Sequence, residues 1–87
     1  MKNFLLSIII PCYNSGRFLV QTVEMLLRQD LTNCELLLVN DGSTDNTLEI
    51  CSHYATLYEN IRVINQPNHG VSVARNAGIT AAQGCYL

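Results

Sequence analysis

The feature that most constrains this fold is the alternation of short apolar runs with segments that have the period of a helix. The apolar runs are "LLSIII" (residues 5–10), "ELLLVN" (35–40) and "IRVINQ" (61–66). Runs of this length and composition are typical of strands buried on both faces of a parallel sheet. Strands that alternate with helices form right-handed βαβ units. The sequence therefore predicts an α/β fold with a Rossmann-like parallel sheet.

Three helices are predicted to alternate with these strands. In "RFLVQTVEMLLRQ" the apolar residues form one helical stripe, which consists of Leu19, Val23, Leu26 and Leu27. The second helix is predicted to bury Leu48, Cys51, Ala55 and Tyr58, and its available caps are Ser43, Thr44 and Asp45. The third helix, in "GVSVARNAGITAAQG", contains Gly78. Because glycine inside a helix costs about 1 kcal/mol relative to alanine, Gly78 predicts close packing against a neighbour.

The composition narrows the class of partner. The chain has 87 residues, of which 48% are hydrophobic and 14% are charged, and its formal net charge is -2. This length allows one small domain. The charge offers no basic surface to nucleic acid or to an anionic membrane. No apolar run approaches the roughly 20 residues of a membrane-spanning helix. We therefore expect a cytoplasmic protein that does not bind nucleic acid.

The cysteines indicate a reducing compartment. The four of them, Cys12, Cys34, Cys51 and Cys85, form no C-x-x-C pair and show no zinc-binding spacing with the two histidines. We predict free and mostly buried thiols.

Three loops should meet at the edge of the sheet where its strands end. They comprise residues 11–14, 40–43 and 65–70, and ligands of such sheets bind outside the carboxyl ends of the strands. No G-x-G-x-x-G follows the first strand and no G-x-x-x-x-G-K-[ST] occurs, so no glycine-rich loop cradles phosphates in the first crossover. In its place stand an aromatic ring, Tyr13, and a carboxylate, Asp41.

Tyr13 and Asp41 together suit a nucleobase. A flat base stacks on a tyrosine ring, while an ionised carboxylate accepts a hydrogen bond from a ring N–H such as that of uracil or guanine. The alternative for Asp41 is a turn that satisfies local backbone groups before a capped helix. The alternative for Tyr13 is a cover over the end of the sheet. The residues themselves leave both interpretations open.

Arg75 lies near the start of the third predicted helix, where a cation opposes the positive end of the helix dipole. An anionic partner is therefore expected. The candidates are Asp41 in a structural ion pair, a nucleotide phosphate, and a carboxylate further along the chain. The neighbouring His69 has no acid beside it in the sequence and is expected to be a solvated loop residue.

Three stretches of the sequence carry a family resemblance. In order, "SIIIPCYNSGRFLVQTVEMLLRQ", "ELLLVNDGSTDNT" and "NHGVSVARNAGITAAQGCYL" resemble the amino-terminal part of the family 2 glycosyltransferases of the GT-A fold. The resemblance implies that Pro11, Cys12 and Tyr13 surround the base of a nucleotide. It also implies that Asp41 hydrogen-bonds a ring nitrogen of that base, usually uracil, and that Arg75 lies near the nucleotide.

The resemblance further implies a reaction. Such an enzyme transfers a sugar with inversion from a nucleotide diphosphate donor, here expected to be UDP-linked, to an acceptor hydroxyl, often in the synthesis of cell-surface polysaccharides or glycolipids. The D-x-D motif of the family holds Mg²⁺ or Mn²⁺ against the diphosphate and is expected just beyond Leu87. Residues 1–87 are thus expected to be the nucleotide-sugar-binding part of a domain truncated before that motif. We expect no catalytic residue, no bound metal and no turnover in this part alone.

The remaining expectations concern partners. The acceptor is expected to be a sugar or a lipid-linked molecule, and the full-length protein is allowed a peripheral position at the inner membrane face. An unfinished sheet with an open edge favours a homodimer. The alternative to an enzyme is a non-catalytic nucleotide-binding or assembly module.

Overall fold

Strands and helices alternate along the chain and form one parallel sheet. A computed structural model describes residues 6–29, 32–82 and the backbone of 85–86. The elements are β1 (Leu6–Cys12), α1 (Gly16–Leu27), β2 (Cys34–Asp41), α2 (Thr47–Leu57), β3 (Ile61–Gln66), α3 (Val71–Ala81) and β4 (Cys85–Tyr86). The strand order is β3-β2-β1-β4, with parallel pairing throughout. The predicted Rossmann-like α/β fold is confirmed.

β2 is the best-buried strand because it has a long neighbour on each side. It pairs with β1 over seven residues and with β3 over six. Every residue from Glu35 to Asp41 is buried, as the apolar run predicts. Full burial of a leucine side chain contributes about 1.5–3 kcal/mol, so this strand accounts for much of the core.

β1 departs from the prediction in two respects. Pro11 does not end the strand, which continues to Cys12 in register with β2. Among the described residues β4 pairs with Leu6 and Ser7, so the proline lies where β1 has a described strand neighbour on one side only, and there it is tolerated. In the described structure most of β1 is half-buried rather than buried on both faces. Leu5, where the predicted run begins, lies outside the described residues.

The helices α1 and α2 cover one face of the sheet. The α1 stripe is as predicted, with Leu19 and Val23 buried and Leu26 and Leu27 packed against the core. The α2 stripe is partly wrong. Its buried residues are Thr47, Cys51 and Tyr54, whereas Tyr58 is exposed beyond the last turn. Tyr54 lies on the same buried face as Cys51, and its hydroxyl donates a hydrogen bond to the Glu24 carboxylate of α1 at 2.8 Å.

The helix α3 covers the opposite face and approaches β1 closely. A Cβ added at Gly78 would collide with the Ile9 side chain, so the expected close packing at this glycine is confirmed. At the amino-terminal end of the strands, buried Glu35 pairs with Arg62 at 3.1 Å. Arg62 also donates a hydrogen bond to the Ala81 carbonyl at 2.7 Å. This ion pair therefore anchors the carboxyl end of α3, and leaves its amino end free to line a site.

Two predictions about the environment can be compared with the structure. Cys12 and Cys51 are buried and Cys34 is half-buried, and all three thiols are free, as predicted. The Cys85 side chain lies outside the described residues. None of the helices in residues 6–29 and 32–82 is both long and apolar enough to cross a membrane.

Candidate nucleotide site

A cavity of about 330 Å³ opens at the carboxyl ends of β1 and β2, where α3 begins. This volume lies at the lower end of the roughly 300–1,000 Å³ found for small-molecule sites. The lining residues are Pro11, Cys12, Tyr13, Asp41, Asn68, Gly70, Val71 and Ala74. Four residues predicted from the sequence to bind a nucleotide therefore lie together, and Arg75 is not among the lining residues.

The Asp41 carboxylate organises the loop between β3 and α3. Its Oδ1 accepts hydrogen bonds from Gln66 Nε2 at 2.9 Å and from the backbone N–H of His69 at 2.8 Å. Its Oδ2 accepts one from the backbone N–H of Gly70 at 2.9 Å. These donors are 25 to 29 residues away in the sequence, so the local-turn alternative for Asp41 is wrong. A carboxylate accepts about four hydrogen bonds, and within the described residues one acceptor position on Oδ2 is unfilled.

These hydrogen bonds keep Asp41 ionised. The bond from Gln66 is the largest influence, and with the His69 and Gly70 N–H groups it holds the Asp41 pKa below its usual value of 3.8. Asp45, at the start of α2, is similar. Hydrogen bonds from Thr47, and then from the Gly16 N–H, lower the Asp45 pKa from 3.8. The site therefore presents a carboxylate anion to the cavity at neutral pH.

The depressed pKa values predict a specific acid sensitivity. A carboxyl group whose pKa is lower in the folded protein than in the unfolded chain stabilises the fold above its unfolded pKa, and loses that effect as the pH falls through its folded pKa. We therefore expect the urea midpoint to be nearly constant between about pH 7 and pH 5 and to fall between about pH 4 and pH 2.

The measurement is urea unfolding across this range for the wild type, D41N and D45N. Both variants should flatten the acid limb. The matched control is E49Q, which removes an exposed carboxylate that forms no hydrogen bond in the described part of the chain. An acid limb of equal slope in all four proteins contradicts the assignment of the two aspartates.

Gly42 allows the loops that follow β2 and β3 to come together. Its φ is +66°, and a Cβ there would lie 2.5 Å from the backbone nitrogen of Asn68. The Asn68 side chain in turn donates to the Asp41 carbonyl at 3.3 Å. Only glycine combines this left-handed conformation with so close an approach. The Asp-Gly pair thus provides the carboxylate and also the space for the loop that the carboxylate holds.

The β1 side of the cavity presents one ring and one inert thiol. Tyr13 is 51% exposed, so its ring is open to a ligand. Cys12 is buried, and a hydrogen bond with the Cys51 thiol, together with burial, raises the Cys12 pKa well above its usual value. The Cys12 thiol therefore stays protonated and does not serve as a nucleophile.

Arg75 lies outside this arrangement. It is exposed on α3, next to Ala74, which lines the cavity. In the part of the chain that the structure describes, it forms no hydrogen bond or ion pair, and the Asp41 oxygens bind other donors. The predicted alternative of an Arg75–Asp41 ion pair is therefore wrong. A phosphate or a carboxylate further along the chain stays a prediction.

Some residues of the site carry no sequence signal. Gln66 and Asn68 belong to the predicted strand–loop region, but their bonds to Asp41 depend on how the loop folds back. His69 contributes its backbone N–H while its side chain is exposed, which agrees with the expected solvated residue. Gly70 ends the loop 65–70 that was predicted to lie at this edge of the sheet, and its backbone N–H donates directly to the carboxylate.

The described residues do not fit a metal ion. No group of three or more His, Cys, Asp or Glu side chains that could hold one occurs in residues 6–29 and 32–82. Asp41, the acid in the cavity, already accepts N–H donors on both oxygens. We therefore derive no chemical step through a metal for these residues.

Comparison with known proteins identifies the family. The model of the family described as "Glycosyl transferase family 2" matches residues 7–87 of this chain. The chain belongs to glycosyl transferase family 2. EpsJ of Bacillus subtilis (strain 168), an uncharacterized glycosyltransferase, is 49% identical over 83 residues, which make up 95% of this chain and 24% of EpsJ. The chain described here thus spans about a quarter of the length of EpsJ.

Solved structures agree with this assignment. TarS 1-349 of S. aureus, in complex with UDP-GlcNAc, matches 97% of this chain and 24% of its own with a TM-score of 0.82 and 34% identity. The mannosyltransferase PcManGT of Pyrobaculum calidifontis, in complex with GDP-Man and Mn²⁺, matches 94% of this chain and 25% of its own with a TM-score of 0.81. At 20% identity, the second likeness concerns the fold alone.

Proposed function

We propose that this chain is the nucleotide-binding part of a glycosyltransferase that takes a sugar from a UDP-linked donor. The observation that carries the proposal is the Asp41 carboxylate, which lines the cavity beside Tyr13 and has an unfilled acceptor position among the described residues. The likeness to TarS, solved with UDP-GlcNAc, supports a uracil nucleotide.

The base is bound by complementary groups. The N–H of the uracil ring donates to Asp41 Oδ2, and an ionised acceptor makes this bond stronger than a neutral one. The base stacks on the half-exposed ring of Tyr13, while Pro11 and Cys12 offer backbone groups along the edge of the cavity. Since cytosine has a bare ring nitrogen at the matching position, Asp41 discriminates against it.

The diphosphate lies toward the start of α3. Gly70 and Val71, at the amino-terminal end of this helix, line the cavity, and that end of a helix carries partial positive charge. Arg75 lies one turn further along α3 and has no competing partner in the described residues, so it is available to an anionic phosphate. This gives Arg75 an electrostatic role and leaves base recognition to Asp41 and Tyr13.

The chemistry of the whole enzyme is proposed from the family resemblance. It is transfer with inversion to the hydroxyl of a sugar or lipid-linked acceptor, in polysaccharide or glycolipid synthesis, with Mg²⁺ or Mn²⁺ held by acids other than those described. The mannosyltransferase solved with Mn²⁺ is in keeping with a divalent ion. A homodimer formed through the sheet edge stays a prediction. The alternative, a non-catalytic nucleotide-binding or assembly module, shares the base site, so the decisive test is binding.

The test compares nucleotides on the unmodified protein. In calorimetric titrations without metal, UDP should bind at least about tenfold more tightly than CDP, because CDP turns a lone pair toward the Asp41 carboxylate and forfeits a charge-assisted hydrogen bond worth about 1.5–3 kcal/mol. Equal affinity for the two nucleotides contradicts the role of Asp41. No heat with either nucleotide contradicts the base site as a whole.

Replacement of Tyr13 isolates the stacking contribution. We expect Y13A to weaken UDP binding by roughly 5- to 150-fold, because base–aromatic stacking contributes about 1–3 kcal/mol. Y13F keeps the ring and should bind nearly as well as the wild type. The matched control is Y58A, since Tyr58 is an exposed tyrosine at the far end of α2. Stacking is ruled out if Y13A and Y58A have the same affinity for UDP.

A further inference from the structure

Three consecutive backbone N–H groups where β1 meets α1 donate hydrogen bonds to side chains of the loop that follows β2 and of the first residue of α2. The donors are Asn14, Ser15 and Gly16. The acceptors, in the same order, are Ser43 Oγ at 3.0 Å, Thr47 Oγ1 at 3.0 Å and Asp45 Oδ2 at 3.3 Å. We refer to these bonds, together with the two below, as the inter-loop contacts. They use the N–H groups that a phosphate would otherwise bind at the start of α1.

Further inter-loop contacts run in the opposite direction and hold an unusual backbone conformation. The Thr44 backbone N–H and hydroxyl donate to Asn14 Oδ1 at 2.8 Å and 3.3 Å. Asn14 has a φ of +46°, in the left-handed region that residues other than glycine rarely adopt. Bonds on both its backbone N–H and its side chain maintain this conformation. The β1–α1 loop is thus shaped by the β2–α2 loop and not by its own sequence alone.

Tyr13 depends on this loop for its position. Its ring is half-exposed, so packing in the core does not hold it over the cavity. Its backbone N–H donates to Ser15 Oγ at 3.1 Å, and the next three residues make the inter-loop contacts. The inter-loop contacts therefore hold the backbone that carries the Tyr13 ring.

Helix capping does not explain the whole pattern. Asp45 accepts a hydrogen bond from the Thr47 N–H at 2.9 Å, which is a local role at the start of α2. Ser43 accepts one from Asn14, which is 29 residues earlier in the chain. A capping residue would bind N–H groups of its own helix. The hydroxyl of Ser43 therefore serves the other loop.

We propose that Ser43, Asp45 and Thr47 are positioning residues for the nucleotide, which act through Asn14, Ser15 and Gly16 to hold the Tyr13 ring over the base. This inference rests on the proposed function and gives the residues after Asp41-Gly42 a role in binding. The three side chains recur at every second position of "DGSTDNT". Asp41 reads the base, and the alternate residues after Gly42 fix the ring that stacks on it.

The experiment is a double-mutant cycle between Ser43 and Tyr13, read by calorimetric titration with UDP. S43A should raise the Kd for UDP about threefold to tenfold, because one hydrogen bond that orients the ring is lost. S43T keeps the hydroxyl and should stay within about twofold of the wild type. In the Y13A background, S43A should have almost no further effect, since the ring that it positions is gone.

Controls separate positioning from folding. S52A replaces an exposed serine on α2 and should leave the affinity for UDP unchanged. N14G suits the positive φ but lacks the Oδ1 acceptor, so it should weaken binding in the same direction as S43A and provides a second, independent variant. Urea midpoints of S43A and N14G show whether the fold is intact.

The outcomes distinguish the two proposals. If the wild type does not bind UDP, the proposed function fails and the positioning role fails with it. If the wild type binds UDP and S43A and N14G bind equally well, the positioning role is overturned and the proposed function stands. A loss in S43A that is the same with and without the Tyr13 ring also overturns it, because the effect is then general and does not act through Tyr13.

Discussion

UDP binding should be lost when Asp41 is replaced by alanine. The variant removes the acceptor for the base N–H and also the partner of Gln66, His69 and Gly70. The loss of a hydrogen bond to a charged group costs about 1.5–3 kcal/mol, which is roughly a 10- to 150-fold change in Kd, and disorder of the β3–α3 loop adds to it. Calorimetric titration with UDP measures the loss.

Two causes of this loss need separate controls. Q66A leaves the carboxylate in place but removes the side chain that donates to its Oδ1, so it reports the cost of loosening the support of Asp41. We expect Q66A to weaken UDP binding only a few-fold and to keep the preference for UDP over CDP. D41A should lose both affinity and preference. Detectable preference for UDP in D41A would show that another group reads the base.

Replacement of Gly78 by valine should have the largest effect on stability. Even a single Cβ at this position would overlap the Ile9 side chain, and valine adds two further carbons at the contact between α3 and β1. Overpacking of a core costs about 1–3 kcal/mol and at times more, and a β-branched residue also lowers helix propensity. We therefore expect G78V to lower the free energy of unfolding by about 3 kcal/mol or more, a large part of the 5–15 kcal/mol typical of a domain.

The control for G78V introduces the same residue on the same helix without the contact. N76V lies on the exposed side of α3 and reports the helix propensity of valine alone, so its cost should be below about 1 kcal/mol. In the double mutant I9A/G78V the overlap is relieved, and the two substitutions should couple favourably. Urea unfolding of the wild type, N76V, G78V, I9A and I9A/G78V measures the five free energies of unfolding. Equal stability of G78V and N76V would contradict the close packing of α3 on β1.

The features that are determined by residues close together in the chain were predicted correctly. The third strand was predicted at residues 61–66 and occupies Ile61–Gln66, because its apolar pattern is bounded by Pro67. Gly78 was predicted to pack closely because nothing local justifies a glycine within a helix. The position of Asp41 at the end of a buried strand followed from the abrupt end of its apolar run.

The errors occur where a contact between distant residues overrides the local pattern. The α2 stripe was assigned from periodicity, but α2 ends at Leu57, so Tyr58 is exposed beyond the helix. The buried tyrosine is Tyr54, whose hydroxyl donates a hydrogen bond to Glu24, 30 residues away. Asp45, predicted as a possible cap, accepts a hydrogen bond at the start of α2 but also accepts one from the backbone N–H of Gly16, the first residue of α1. Of the three anionic partners considered for Arg75, only Asp41 is excluded, because its oxygens accept hydrogen bonds from other donors.

The sequence by itself determined the alternation of strands and helices, the burial of the central strand, the family and the edge of the sheet where the cavity lies. Each of these depends on hydrophobic periodicity or on residues close together in the chain. The tertiary structure alone decided which donors bind the Asp41 carboxylate, how the β1–α1 loop is held beneath Tyr13, and that Arg75 stays outside the cavity. These features depend on hydrogen bonds between loops 25 to 32 residues apart, and their partners are known only once the parallel sheet brings the loops together.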